Sequence, residues 1–372
     1  MAITALRVTD FRNLAAAELN LNPHGLNIIC GKNGSGKTSL LEAIYYLGHG
    51  RSFRSSTSGQ LIRRESDKFL LFIQLLSGSL GLIPLGIERG LSGNLALRVA
   101  EKDAVSISEL AQFLPIRVIN SQSHHLFESG PSYRRKFLDW GLFYHYESFF
   151  NIWRHFERAL KQRNTILKER RTKRELDSWT AELVKHANEL NTLRQDYTRL
   201  FSPVLAELAR ELLGIDNLAI SYHPGWDELF DYETILANHT QDEFRLGSTQ
   251  YGPHRADLDI TVDGLSIRHF LSRGQQKMLI CAMIVAQGMV LNQYVNKRLI
   301  YLVDDLPSEL DELNRQKLIS LLTRQESQIF ITAIENDAIY DSICNEFKVP
   351  MKVFHVEHGN VSEVTNNLSI GQ

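Results

Sequence analysis

Cysteine is scarce in this chain. The 372 residues contain three, Cys30, Cys281 and Cys344, each far from the others. They provide neither a metal-ligating spacing nor an even disulfide framework, which fits a reducing compartment. Long apolar runs are also missing: no window approaches 18 uninterrupted apolar residues, so no membrane span is expected. The opening MAITALRVTDF lacks the basic region and apolar core of a secretory signal, and the expected location is the cytoplasm. There is no excess of basic charge. The net charge of −2 confines any nucleic-acid surface to a local patch. Internal repeats and low-complexity tracts are absent. What remains is an ordinary globular composition, 43% apolar and 23% charged, in a chain too long for one simple core. Two or three domains, or one discontinuous domain with an insert, are expected.

The first hundred residues read as strands. Leu6 and Val8 alternate with Arg7 and Thr9, and Leu19 and Leu21 with Glu18 and Asn20. GLNIIC is a short apolar strand that runs into a glycine-rich loop. FLLFIQLLSG, LGLIPLGIERG and NLALRVAEKDA form an antiparallel meander with glycine-bearing turns. From Pro131 to Leu213 the pattern is helical. Leu176, Leu183, Leu190, Tyr197 and Val204 recur every seven residues, beside a second seam of Thr180, Ala187, Phe201 and Leu208 that Arg194 interrupts. This suits either a protruding arm or a bundle packed on itself, with Pro203 bending or restarting the helix. Strands return in RLIYLVDD, SQIFITAI and KVFHVEHGNVSEV, the last a hairpin turning at Gly359-Asn360. The expected class is α/β, a mixed sheet with helices and an antiparallel meander, plus an inserted helical arm with short heptads. Residues 1–115 and 240–372 form the head, and 116–239 the helical lobe.

GKNGSGKT, Gly31 to Thr38, fits the phosphate-loop pattern, with a strand before it and a helix after. In this reading Gly31, Lys32, Asn33, Gly34, Ser35 and Gly36 curl backbone N–H groups around phosphate oxygens. Lys37 supplies a point charge, and Thr38 a hydroxyl ligand for Mg²⁺. Beside such a loop, the acids ending LIYLVDD acquire roles: Asp304 holds the Mg²⁺ shell, and Asp305 orients or deprotonates the attacking water. Asp305 is one methylene shorter than glutamate, which suggests slow hydrolysis, suited to a switch. LSRGQQK, 235 positions beyond Lys37, is a second polar helix start. Ser272 is a good N-cap, Gly274 permits close backbone approach, and exposed N–H groups near Gln275 favour an anion. A capped buried helix is the plain alternative.

The order of phosphate loop, serine–glycine helix start and Asp-Asp strand resembles that of ATP-binding-cassette ATPases, with SELD (308–311) following the second acid. Nearer still, DFRNL, GPSYRRKFLDW, LKQRN, YGPHRADL, LSRGQQK and DDLPSELD occur in the order seen in the RecF family of bacterial recombination mediators, over nearly the whole chain. The resemblance implies an ATP-sandwiched homodimer in which Ser272 of one chain caps nucleotide held by Lys37 of its mate. It implies weak DNA-dependent ATP hydrolysis. It further implies binding to double-stranded and gapped or single-stranded DNA, association with the nucleoid, work with RecO and RecR to load recombinase, and a link to the SOS response. It makes Arg12 and Asn13 a nucleotide-proximal pair, and puts Gln122 where a lobe-linking glutamine would meet the metal. The switch histidine of transporter ATPases is missing after QIFITAI, where Thr332 sits nearest.

For DNA, the candidate surface is the basic stretch Arg154 to Arg174 with Arg134, Arg135 and Lys136 upstream; Arg163, Arg170 and Arg171 belong to it. A solvated charged face is the competing reading. YGPHRADL is either a structural turn or a place where His254 and Arg255 face phosphate or the dimer partner. A transporter-type ATPase fits poorly, because loop and helix start lie too far apart. A chromosome-organising ATPase would need a much longer arm, and a fused nuclease another carboxylate cluster.

Overall fold

The computed structural model describes residues 1–364 apart from 56, 79, 306–309 and 335–348. Ser308 and Glu309 of SELD therefore lie outside the described residues, as does Cys344. The chain divides into two compact units, Met1–Ser123 with Asn296–Gln372, and His124–Val295. The sequence set the divisions at 115/116 and 239/240; residues 240–295 instead fall in the second unit. There β10 (Asp257–Val262) pairs antiparallel with β9 (Leu218–His223). The apolar helix Arg273–Val295 lies in the same unit.

In the first unit, β1 (Ala2–Phe11), β2 (Leu14–Asn20), β4 (Lys68–Ser77), β5 (Gly81–Gly90), β6 (Leu95–Val99) and β7 (Lys102–Asp103) form the antiparallel meander, in the order β2-β1-β4-β5-β6-β7. Phe69, Leu71, Ile73 and Leu75 of β4 all point inward, as period-two alternation requires. A second six-stranded sheet runs β15-β14-β3-β13-β12-β8. Here β3 is Gly25–Cys30, β8 Ile116–Ile119, β12 Ile300–Val303, β13 Gln328–Ala333, β14 Met351–Glu357 and β15 Asn360–Val364. All pairings are parallel except β14 with β15. Strands β12 and β13 are buried along their whole length, which explains their continuous apolar runs. Helix α1 (Lys37–His49) shares one core with both sheets, and Phe11, Tyr46 and Phe69 meet edge to face within it. The terminal hairpin turns at His358-Gly359, one residue earlier than its sequence suggested. Glu357 pairs with Asn360, and both turn residues have positive φ, 48° and 81°. Two successive positive-φ residues suit the right-handed twist of a two-residue hairpin.

In the second unit, α2 (Pro131–His145), α3 (Phe149–Glu169) and α4 (Lys173–Leu213) precede a small sheet of β9, β10 and β11 (Leu265–Ser266). Helix α5 (Tyr232–Leu246) and the long α6 (Arg273–Val295) complete it. Thr172 and Glu175 cap α4 reciprocally. The heptad seam is buried at Leu176, Leu183, Leu190 and Tyr197, as in a bundle packed on itself. Past Pro203 burial passes from Val204 to Leu205, as the drift of a 3.6-residue helix against a seven-residue repeat requires. The helix does not restart at Pro203. Among the described residues α6 alone is long and apolar enough to cross a membrane, but 72% of that window is buried. It is a core helix.

Arg194, which breaks the second seam, is buried in an ion pair. Its Nε and Nη2 donate to the Asp139 carboxylate at 2.9 and 3.0 Å, and Nη1 donates to the Pro253 carbonyl at 2.7 Å. That last bond draws YGPHRADL onto α4. His254 makes an imidazole bond to the Thr249 carbonyl at 3.0 Å. Burial pushes its pKa down to about 4, so it stays neutral and structural at neutral pH. We expect Arg194→Ala to destabilise the protein by about 3–5 kcal/mol, since it strands the Asp139 charge. The joint Arg194→Met, Asp139→Leu variant should lose less. Urea unfolding followed by circular dichroism checks both.

Candidate functional site

Strands β3 and β12 are separated by β13. Their parallel register brings Cys30, Val303 and Ala333 to one edge, since Val303 pairs with Ile331 and Ala333 with Cys30. The carboxyl ends of parallel strands are where open α/β sheets bind ligands. A cavity of about 990 Å³ opens there, lined among others by Asn33, Lys37, Thr38, Asp304, Asp305 and Thr332.

Each part has a local cause. Gly31 has φ +150°, and a Cβ there would stand 2.3 Å from the Val356 carbonyl oxygen; only glycine lets β14 pass so close. The Gly359 N–H of the terminal hairpin donates to the Ser35 carbonyl at 2.9 Å, bracing the loop from outside. Asn13 braces it from within: its Nδ2 donates to the Ser35 carbonyl at 3.1 Å, and its Oδ1 accepts from Ser39 Oγ at 2.8 Å. Arg12 sits beside it at φ 56°. Lys37 Nζ donates to the carbonyls of Gly31 and Lys32 at 2.7 and 2.9 Å. Burial lowers the Lys37 pKa, against the pull of Asp304 and Asp305. The Ser35 hydroxyl is buried without a hydrogen-bond partner.

Asp304 is the junction. Its Oδ1 accepts from Thr38 Oγ1 and from Thr332 Oγ1, at 3.0 Å each. Thr332 Oγ1 in turn accepts from the Asp305 N–H at 2.9 Å, and Asp305 takes a left-handed φ of 53°. Burial pushes the Asp304 carboxyl above its usual range, while the two threonine bonds and the charge of Arg54 hold it down. Thr332, the residue nearest the place of the missing switch histidine, thus ties both acids together.

The site also has members that motif reading missed. Asn120 and Ser121 line the cavity, whereas Gln122 is exposed in the short turn Ser121–His124 and is not among the lining residues. Its expected place at the metal thus finds no support in the lining of the cavity. Arg54, Arg63 and Arg64 line the same cavity as the phosphate loop. Glu42, one acid within apolar SLLEAIYYL, is fully buried and accepts from Arg12 Nε and Nη2 at 2.9 and 2.7 Å. A charge at a position that periodicity buries was the available signal.

A protein-family model described as RecF/RecN/SMC N terminal domain matches residues 2–362. A DNA replication and repair protein RecF from Cellvibrio japonicus is 41% identical over 97% of this chain and 99% of its own length. One from Shewanella denitrificans is 43% identical over 98% and 100%. The chain belongs to the RecF family. A solved structure of the recombination mediator protein RecF with ATP, of the RecFOR pathway, superposes with TM-score 0.86 at 23% identity, covering 98% of this chain and 97% of that one. An Smc head domain from Pyrococcus furiosus matches at TM-score 0.59 and 15% identity, over 98% and 96%. The fold is thereby the mixed α/β head shared by ATP-binding-cassette and SMC-like ATPases, with a long helical insertion.

The remaining candidates lie in the second unit. Ser272 is exposed and caps α6 reciprocally: its Oγ accepts from the Gln275 N–H at 3.3 Å, and Gln275 Oε1 accepts from the Ser272 N–H at 3.0 Å. Gly274 is exposed with open space around it. The basic candidates separate. Arg134 is buried and bidentate on Asp257 at 2.6 and 2.9 Å. Arg163 is 1% exposed and spends its donors on Glu243, Thr249 and Thr180. Neither presents a guanidinium to a ligand, which corrects their placement on a DNA surface. Arg135 is half-buried and donates to the Ala256 carbonyl at 2.8 Å. Arg170 and Arg171 are exposed, the latter paired with Glu169.

Gly31→Ala should distort the phosphate loop and cost more than the roughly 1–2 kcal/mol of a left-handed backbone alone. Gly34→Ala, at φ 78° with no atom within 4 Å of its Cβ, should cost only that backbone strain. Thermal unfolding without nucleotide compares them.

Proposed function

We propose that the chain is an ATP-dependent DNA-binding protein of gap repair and fork restart, with slow DNA-stimulated ATP hydrolysis. The observation that carries this reading is the meeting of Lys37, Thr38, Asp304 and Asp305 in one cavity, in a chain whose full-length relatives are named DNA replication and repair protein RecF. The cavity suits a nucleoside triphosphate. The loop is glycine-rich, a helix N-terminus faces it, and the buried Ser35 hydroxyl lacks a partner. Thr38 and Asp304 offer only oxygen ligands, which fits Mg²⁺. That ion, when bound, would neutralise charge on the β- and γ-phosphate oxygens. Lys37 holds the same oxygens. Asp305 orients water for attack, and Thr332 sets its backbone. Asn13 keeps the phosphate loop in shape.

Ser272, Gly274 and Gln275 complete the site of a second copy, giving an ATP-gated homodimer. On the second unit, exposed Arg154, Arg158, Lys161 and Lys168 of α3 follow one helix face. With Arg170 and Arg171 they offer phosphate contacts that carry no sequence information. Double-stranded, gapped and single-stranded DNA are the expected partners, with RecO and RecR, in the cytoplasm and on the nucleoid when engaged.

Binding to single-stranded, duplex and gapped DNA with ATP, with ADP and without nucleotide tests the reading. Tighter duplex or gapped binding only with ATP is expected. Lys37→Met should abolish nucleotide binding, and Ser272→Arg should spare it while blocking dimerisation. Charge reversal at Arg170 and Arg171 should flatten the log–log salt slope by roughly 0.9 per lost contact. Nucleotide binding with no DNA affinity under any condition would return a transporter-type or other partner-regulated ATPase to the front.

A further inference from the structure

Glu42 lies five residues beyond the phosphate-loop lysine, on α1, and is fully buried. An isolated buried carboxylate would be very costly, so its partners reveal what it is for. One is Arg12, held through both carboxylate oxygens. Arg12 is fixed on its other side too: its N–H donates to the Leu61 carbonyl at 2.7 Å, and Nη1 to the Gln60 carbonyl at 3.0 Å. The other partner is Ser52, whose hydroxyl donates to Glu42 Oε1. That hydroxyl oxygen accepts the N–H groups of Arg54 and Ser55 at 2.8 Å each.

Glu42 therefore joins three segments of the cavity wall. These are the Arg12-Asn13 turn that braces the phosphate loop, the 60–61 stretch, and the 52–55 loop bearing Arg54. Arg54 lines the cavity together with Asp304. We propose that Glu42 is a positioning residue for nucleotide binding: it clamps Arg12 and, through Ser52, fixes the loop that presents Arg54 to the phosphate cavity. It touches no ligand itself, because its carboxylate is consumed by Arg12 and Ser52. The charge matters as well as the shape. In Glu42→Gln the amide N–H₂ would confront a guanidinium donor in either orientation, and in one of them also the Ser52 hydroxyl, whose oxygen already accepts two N–H groups. This proposal rests on the nucleotide-binding reading of the cavity.

The test is a double-mutant cycle on ATP affinity, measured by calorimetry on the full chain. Glu42→Gln, Ser52→Ala and Arg54→Ala should each weaken binding about ten-fold, a 1.4 kcal/mol effect. Because Ser52 acts through Arg54, adding Ser52→Ala to Arg54→Ala should weaken binding little further, and Glu42→Gln, which also releases Arg12, should add less than its full loss. Glu42→Asp, which keeps the charge, should recover part of the loss. Ser52→Ala leaves the Arg12–Glu42 pair in place, so it serves where Glu42→Gln fails to fold. If the wild-type chain binds ATP and the losses simply add, the positioning role is wrong and the cavity reading survives. If the wild-type chain binds no nucleotide, the cavity reading itself falls.

Discussion

The site depends on one oxygen. Asp304 Oδ1 accepts from the hydroxyl that opens α1 and from the hydroxyl near the end of β13. Those two donors come from segments 294 residues apart in sequence (332 − 38). They meet because β13 lies between β3 and β12 in a parallel sheet. Parallel pairing sets the heights of the strand ends, and the hydroxyls then tune a buried carboxyl that desolvation alone would drive toward its neutral form. The same arrangement makes Thr332 a structural link between the two acids, since it also receives the Asp305 N–H.

The second unit is organised by buried cations. Arg134, Arg163 and Arg194 each find a carboxylate on a distant segment and further oxygen acceptors. Such pairs add little net stability, but breaking one is expensive, and they admit one register only. Arg194 requires Asp139 at one height of α2 and the Pro253 carbonyl at one position of the following turn. A seam of leucines alone would tolerate sliding; a guanidinium fork in the seam does not.

Much of this was legible in local pattern. Alternation gave the meander, the glycine-rich motif gave a loop between strand and helix that lines the cavity, and the apolar run before Asp304-Asp305 gave the strand that carries them. The failures at charged residues share a cause. Arg134 and Arg163 look like surface charge because the residues that neutralise them, Asp257 and Glu243, lie 123 and 80 positions away. Glu42 was passed over because a single acid in an apolar helix has no meaning until Arg12 is seen against it. The hairpin turn was misplaced by one residue because His358 adopts a positive φ that histidine rarely takes. Periodicity reports which face is buried, and says nothing about which ions meet there.

Ser272 shows where two sequence readings need not compete. A capped buried helix and half of a composite nucleotide site were alternatives for LSRGQQK. In the cap, Ser272 Oγ accepts the Gln275 N–H and so uses a lone pair. Its hydroxyl proton is not spent in that bond and can donate to an anion. Gly274 adds no Cβ to the helix start, and its surroundings are open. The cap fixes where the hydroxyl stands before any ligand arrives, so little rotamer entropy remains to be lost when a phosphate oxygen meets it. In the proposed dimer, capping the helix and serving the nucleotide of a second copy would be one geometry, with the serine's acceptor turned to its own chain and its donor to another.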